Sequence, residues 1–210
     1  MIRHLLWDLD GTLFDTYPAI TYAISKSLNE LGGTMALNMI DGLARQSIGH
    51  CLETLAARFK LDPNLLHARY VENYRKLSPA NQAPFPGARE ICAFVHQNGG
   101  RNIIITHREI EPCHILLETH KMSALFDDIF STEQGYPRKP SPEMILTALS
   151  KYDLNPAETL MVGDRALDIQ AGQAAGVRTC LFGTAYLSVA AEFHVQHLSE
   201  ILGQIFPGTT

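Results

Sequence analysis

The sequence predicts an α/β protein in which a doubly wound, parallel five-stranded sheet carries an inserted all-helical domain. Five short apolar segments have strand character, and they lie at 4–7, 102–106, 128–131, 159–163 and 178–182. Helical patterns separate the last four of these segments from one another. Such alternation favours parallel strands joined by helices that cover both faces of the sheet.

The segment between the first two predicted strands has a different character, because it contains helical patterns and no convincing strand. A helix start is indicated at Tyr17–Pro18, since proline suits the first turn of a helix. Further helical patterns follow, and a proline-rich loop then leads back to the alternating region. We expect a core domain at 1–16 and 83–210 and a helical cap domain at 17–82.

The composition excludes several classes of protein. Of the 210 residues, 46% are hydrophobic and 19% are charged, which is typical of a globular protein. A net charge of −5 gives no basic surface for nucleic acid. No apolar run approaches the roughly 20 residues that span a bilayer, and the four cysteines have no paired spacing. We expect a cytoplasmic protein without a nucleic-acid or membrane partner; the sequence leaves its oligomeric state open.

The first chemically informative residues are Asp8 and Asp10, which follow the first predicted strand and precede Gly11. Open α/β sheets bind ligands at the carboxyl ends of their strands. Two carboxylates at this edge can bind a metal ion and can also supply a nucleophile and a proton carrier. The plain structural alternative is an acidic turn after a strand.

Three more polar clusters follow other predicted strands or lie in the loops beyond them. They are Thr106–His107, Arg138–Lys139–Pro140, and Asp164 with Asp168. Because all parallel strands end at one edge of the sheet, these clusters and the two early acids are expected to converge in one crevice. The Lys139 ammonium group is suited to neutralising negative charge there, and the late acids are suited to Mg²⁺.

The four clusters, their order and the position of the helical insertion resemble haloacid dehalogenase superfamily phosphatases with a helical cap, a subgroup that includes phosphoglycolate phosphatases. The resemblance covers nearly the whole chain and implies the Rossmann-like sheet of that superfamily. It implies that Asp8 attacks phosphorus to form an aspartyl-phosphate. It also implies that Asp10 protonates the leaving oxygen and then activates water.

The same resemblance implies roles for the other clusters. The Thr106 hydroxyl and the His107 backbone N–H are expected to bind phosphoryl oxygens, while Lys139 neutralises charge beside the nucleophile. Asp8, Asp10 and Asp164 are expected to hold Mg²⁺, with Asp168 behind them or bound through water.

Two positions depart from the pattern of the family. His107 stands where other members often have asparagine, and Arg165 stands where serine or threonine is common. For Arg165 we expect either an ion pair with Asp168 or exposure to solvent.

Two residues of the helical segment are candidates for substrate recognition. Arg45, in a loop at 45–50 that leads into a helix, is placed to bind a carboxylate or second phosphate of a substrate. Tyr17 is a candidate for the entrance of the site. The ordinary alternatives are a solvated arginine and a packed tyrosine.

The sequence therefore predicts a Mg²⁺-dependent phosphatase that hydrolyses a small phosphorylated metabolite through an aspartyl-phosphate. A sugar phosphomutase resembling β-phosphoglucomutase is one alternative, since it shares both early acids. A catalytically silent binding protein on the same fold is another. Asp10 argues against a dehalogenase, and the absence of lysine from 45–50 argues against a phosphonate hydrolase.

Overall fold

The computed structural model describes residues 1–183 and 189–206. The chain divides into two compact units. One unit comprises Met1–Phe14 and Pro84–Thr210, and the other comprises Asp15–Ala83. Each unit is described below by itself.

The first unit is built on a parallel sheet of six strands in the order β3-β2-β1-β4-β5-β6. The strands are β1 (His4–Trp7), β2 (Asn102–Thr106), β3 (Asp128–Ser131), β4 (Thr159–Gly163), β5 (Arg178–Phe182) and β6 (Phe193–Val195). The order runs outward in both directions from β1, as expected for a doubly wound sheet. The predicted fold class is thereby confirmed.

The strand count of five was wrong, because β6 adds a sixth strand beside β5. This strand has only three residues, Phe193–Val195, and only Val195 is buried. Such a short segment carries too little hydrophobic pattern to be recognised without its neighbour.

Nine α-helices lie in the described part of the chain. They are α1 (Tyr17–Glu30), α2 (Leu37–Gln46), α3 (Ile48–Phe59), α4 (Pro63–Arg75), α5 (Ala88–Gln97), α6 (Ile110–Thr119), α7 (Glu143–Tyr152), α8 (Ala166–Ala174) and α9 (Glu200–Ile205). None of these described helices combines the length and apolarity needed to cross a bilayer.

Helices cover both faces of the sheet because its strands are apolar on both sides. Leu5 and Trp7 pack on one face with buried residues of α5, α6 and α9. Leu6 points to the opposite face and packs with α7 and α8. This alternation follows the two-residue period of a strand.

The second unit consists of α1–α4 around a core of its own, which includes Ile24, Leu28 and Leu55. Helix α2 was not predicted, and Arg45 therefore lies in its last turn rather than in a loop. Gly42 weakens the helical signal of this segment, and burial of Ile40 and Ala44 against the neighbouring helices decides its structure.

Asn102 is a buried polar residue that connects several elements of the first unit. Its Oδ1 accepts a hydrogen bond from Trp7 Nε1 at 3.2 Å. Its Nδ2 donates to the carbonyl oxygens of Cys92 and Leu125 at 2.8 and 3.0 Å. The amide thus satisfies three buried groups that no apolar side chain could satisfy.

We expect Asn102→Ala to lower the free energy of unfolding by about 2–4 kcal/mol, because the indole N–H and two carbonyls lose their partner. Urea denaturation measures the change. Asn98→Ala, at an exposed helix end, is the control and is expected to change stability by less than about 0.5 kcal/mol. Equal effects of the two variants would contradict this role of Asn102.

Candidate active site

Asp8 lies at the carboxyl end of β1, where it continues the pairing with β4. Its backbone N–H donates to the Val162 carbonyl at 2.9 Å, and the residue is 1% exposed. Gly11 then adopts a φ of 80°, which suits glycine, and the chain turns tightly. The turn places the Thr12 hydroxyl where it donates to Asp164 Oδ1 at 3.2 Å.

Lys139 extends its ammonium group into the middle of these acids. Its Nζ lies 2.5 Å from Asp8 Oδ1 and 2.6 Å from Asp168 Oδ1. A third contact is a hydrogen bond of 2.9 Å to the Ile105 carbonyl at the end of β2. The Lys139 side chain is 0% exposed, so all three contacts form in a water-poor environment where they are strong.

Asp168 approaches the site closely because position 163 has no side chain. A Cβ added at Gly163 would lie 2.3 Å from the Asp168 Cβ. Asp168 Oδ2 accepts a hydrogen bond of 3.0 Å from the Arg165 backbone N–H, and Oδ1 faces Lys139. Both oxygens of Asp168 are therefore engaged by protein groups.

Burial and crowding shift the ionisation of this cluster. Burial raises the pKa of Asp8 to about 6 despite the opposing charge of Lys139. Burial, reinforced by the charges of Asp8 and Asp168, raises the pKa of Asp164 to about 8. Burial alone would lower the pKa of Lys139, but Asp168 and Asp8 outweigh it and raise that pKa. The carboxylates thus lack sufficient positive charge around them.

A divalent cation fits this arrangement. Oxygens of Asp8, Asp164 and Asp168 lie within 4.8 Å of one another. Asp8 Oδ2 is buried and accepts no hydrogen bond from the described residues. A buried carboxylate oxygen without a donor is costly unless a cation binds it. The oxygen-only donor set suits a hard cation.

Asp10 lies outside this three-carboxylate cluster. Arg108 Nε donates to Asp10 Oδ2 at 3.1 Å, and the Arg108 Nη2 donates to Oδ1. The Arg108 guanidinium group thus binds both carboxylate oxygens of Asp10. The expected role of Asp10 as a metal ligand therefore stays a prediction. Arg108 was not predicted from the sequence; its position two residues after Thr106, which ends β2, is the signal that could have indicated it.

Arg165 lies close to two of the acids in the site. Its Nη2 lies 4.0 Å from Asp8 Oδ2, and its Nε lies 4.0 Å from Asp164 Oδ1. The side chain is 17% exposed, so exposure to solvent was the wrong expectation. Its backbone N–H donates a hydrogen bond of 3.0 Å to Asp168 Oδ2, and an ion pair of its guanidinium group with Asp168 stays a prediction.

Thr106 is the last residue of β2, and His107 follows it at the carboxyl edge of the sheet. Thr106 is 1% exposed, and its Oγ1 accepts a hydrogen bond from the Arg108 N–H at 3.1 Å. The Thr132 hydroxyl donates to the His107 carbonyl at 3.2 Å and fixes the loop from the side of β3. The structure therefore brings the phosphate-binding candidates to the end of β2, next to the end of β1 that carries Asp8.

The His107 imidazole has a structural role that the sequence did not indicate. Its Nε2 accepts a hydrogen bond of 2.8 Å from the Lys139 backbone N–H. Burial, helped by the charges of Lys139, Arg138 and Arg165, lowers the pKa of His107 to about 2. A neutral ring that accepts at Nε2 must carry its proton on Nδ1. His107 thus supports the segment that carries the buried ammonium group.

Arg45 and Tyr17 contact each other within the second unit. The Arg45 guanidinium carbon lies 4.3 Å from the centroid of the Tyr17 ring, and Arg45 Nε donates to Asp41 Oδ2 at 2.7 Å. Their role in substrate recognition stays a prediction.

Comparison with known proteins identifies relatives of this chain. The sequence model of the haloacid dehalogenase-like hydrolase family matches residues 5–182. A phosphoglycolate phosphatase from Nitrosospira multiformis is 30% identical over 186 residues, which are 83% of this chain and 80% of that protein. An N-acetylmuramic acid 6-phosphate phosphatase from Pseudomonas putida is 29% identical, covering 89% of this chain and 85% of its own length.

A solved structure is also similar to this chain. The crystal structure of a hydrolase from Streptococcus pneumoniae is 32% identical, with a TM-score of 0.65 over 87% of this chain and 94% of that one. The parallel doubly wound sheet, with acids at its carboxyl edge, defines an α/β protein that has its ligand site at that edge. The chain belongs to the haloacid dehalogenase-like hydrolase family, which confirms the predicted family.

We expect cation binding at this cluster to release protons, because the cation-free protein keeps Asp164 largely protonated at neutral pH. Between about pH 6 and about pH 8, the apparent Kd for Mg²⁺ should tighten by up to about tenfold per pH unit. Titration calorimetry in two buffers of different ionisation enthalpy measures both quantities. A pH-independent Kd with no proton release would contradict the raised pKa of Asp164.

We expect His107→Leu to destabilise the protein by about 1–3 kcal/mol, because the buried Lys139 N–H loses its acceptor. His107→Gln keeps an acceptor near the position of Nε2 and should recover most of this loss. Hydrogen exchange of the Lys139 amide should be fastest in the leucine variant. His114→Gln, on an exposed turn of α6, is the control, and identical exchange in all variants would disprove the support role.

Proposed function

We propose that this protein is a Mg²⁺-dependent phosphatase that hydrolyses a small-molecule phosphomonoester through an aspartyl-phosphate on Asp8. One observation carries the proposal. The Asp8 carboxylate is buried at a strand end, with one oxygen held by the Lys139 ammonium group and the other without a hydrogen bond from the described residues. An oriented carboxylate of this kind is suited to nucleophilic attack.

Lys139 supports this chemistry by electrostatics. An incoming phosphate dianion and an ionised Asp8 repel each other, and a fixed ammonium group 2.5 Å from Asp8 Oδ1 reduces that repulsion. The same ammonium group opposes the effect of burial on the pKa of Asp8 and so favours the ionised, nucleophilic form.

Mg²⁺ is the cation we propose, held by Asp8 and Asp164, because hard oxygen donors and retained waters suit it. When bound, it supplies positive charge that offsets the phosphate. Asp168 orients Lys139 from behind, since its two oxygens already contact Lys139 and the Arg165 backbone.

Asp10 is the proposed proton carrier, and Thr106 is the proposed donor to a phosphoryl oxygen. In the structure Arg108 holds both oxygens of Asp10, so an oxygen of Asp10 must leave Arg108 before it can protonate a leaving group. The backbone N–H of His107 is proposed to bind the phosphoryl group beside Thr106.

The substrate we propose is a small phosphorylated metabolite. Relatives named for phosphoglycolate and for N-acetylmuramic acid 6-phosphate support this class. Recognition by Arg45 and Tyr17, action in the cytoplasm, and closure of 17–82 as a cap that excludes water are parts of the same proposal. Sugar phosphomutase activity and catalytically silent binding are the competing hypotheses, and the experiment below separates them.

We expect the wild-type protein to release phosphate from at least one small phosphomonoester with Mg²⁺, and Asp8→Asn to lose at least about 1000-fold in kcat. The test set includes 2-phosphoglycolate, N-acetylmuramic acid 6-phosphate and glucose 1-phosphate. Asp153→Asn is the control, because this exposed residue at the end of α7 has a left-handed conformation that asparagine tolerates.

Each competing hypothesis has its own outcome. Conversion of glucose 1-phosphate to the 6-phosphate without phosphate release would identify a phosphomutase. Absence of turnover on the whole set, together with failure of beryllium fluoride to bind at Asp8, would favour a silent binding protein. Activity that survives Asp8→Asn would disprove the mechanism.

A further inference from the structure

Arg165 lies at the centre of the site, although the resemblance to the family assigns it no role. It directly follows Asp164, and its backbone is fixed by the 3.0 Å hydrogen bond from its N–H to Asp168 Oδ2. The guanidinium group lies 4.0 Å from the nearest oxygens of both Asp8 and Asp164. These are the two carboxylates best placed to hold a divalent cation.

The two distances of 4.0 Å indicate which kind of interaction Arg165 makes with Asp8 and Asp164. At 4.0 Å the guanidinium group interacts electrostatically with both carboxylates but is too far away for hydrogen bonds, which form at about 2.7–3.2 Å. The closer oxygen of Asp8 is Oδ2, which accepts no hydrogen bond from the described residues. Arg165 therefore stands beside the open oxygen of the proposed nucleophile without occupying it.

The positive charge of Arg165 has opposite effects on the binding of the divalent cation and on the binding of phosphate. It repels a divalent cation held by Asp8 and Asp164, which weakens binding of the cation alone. It attracts a phosphate group that approaches Asp8, and its planar donors match phosphate oxygens. Phosphate bound between the cation and the guanidinium group would also reduce their mutual repulsion.

We propose that Arg165 is a phosphate-binding residue that couples the two ligands of the site, so that Mg²⁺ binds weakly alone and tightly together with phosphate. The inference rests on the proposed function only in taking Asp8 as the point where phosphate meets the cation.

The experiment measures binding rather than turnover. Titration calorimetry with magnesium chloride, with and without saturating inorganic phosphate, gives the Kd for Mg²⁺ in both states. The reverse titration gives the Kd for inorganic phosphate at saturating Mg²⁺. Both are measured at about pH 8, where fewer protons compete for the carboxylates.

For Arg165→Ser we expect a Kd for Mg²⁺ alone that is about tenfold tighter and a Kd for phosphate that is about tenfold weaker. The factor by which phosphate tightens Mg²⁺ binding should fall correspondingly. Arg165→Lys should keep the weak binding of Mg²⁺ and lose part of the phosphate affinity. Arg3→Ser, before β1 at the opposite end of the sheet, matches the change in net charge and should alter neither constant.

Several outcomes would overturn the inference. They are weaker Mg²⁺ binding in Arg165→Ser, unchanged constants in that variant, and absence of Mg²⁺ or phosphate binding by the wild type. If Arg165→Ser does not fold by circular dichroism, Arg165→Gln and Arg165→Lys decide the question by the same constants. Turnover of phosphomonoesters by the wild type is measured in parallel, so failure of the proposed function is seen separately from failure of this coupling.

Discussion

The buried contact of Lys139 with Asp8 and Asp168 is the interaction on which the site depends. Its ammonium group has no access to solvent, and its partners come from the ends of different elements: Asp8 after β1, the Ile105 carbonyl in β2 and Asp168 in α8. A charge buried in this way requires all of its partners, and loss of one costs about 3–5 kcal/mol in comparable pairs. The contact therefore fixes three segments of chain around one point.

The acidic groups around the Lys139 ammonium group outnumber the basic groups. The carboxylates of Asp8, Asp10, Asp164 and Asp168 face the cationic groups of Lys139, Arg108 and Arg165. The raised pKa values of Asp8 and Asp164 express the resulting crowding of buried negative charge. A divalent cation relieves this crowding, which gives a physical reason for cation binding independent of any relative.

The sequence allowed much of this protein to be predicted, because its signals are local. The five predicted strands are present, since each is a short apolar run between helical patterns. The fold class and the family are confirmed. Helix α2 and strand β6 were missed because their local patterns are weak, and packing against neighbouring elements decides their structure. The catalytic roles of Asp8, Asp10, Thr106 and Lys139 stay predictions.

The sequence by itself determined most of the chemical groups at the carboxyl edge of the sheet, because a polar residue that ends or directly follows a buried strand, such as Thr106 or Asp8, lies at that edge. Only the tertiary structure decided how those groups pair. Arg108 and Asp10 are 98 positions apart, and His107 and Lys139 are 32 apart. The orientation of Arg165 toward Asp8 depends likewise on strands brought together by folding. No local pattern encodes such contacts, since each arises from the packing of separate segments.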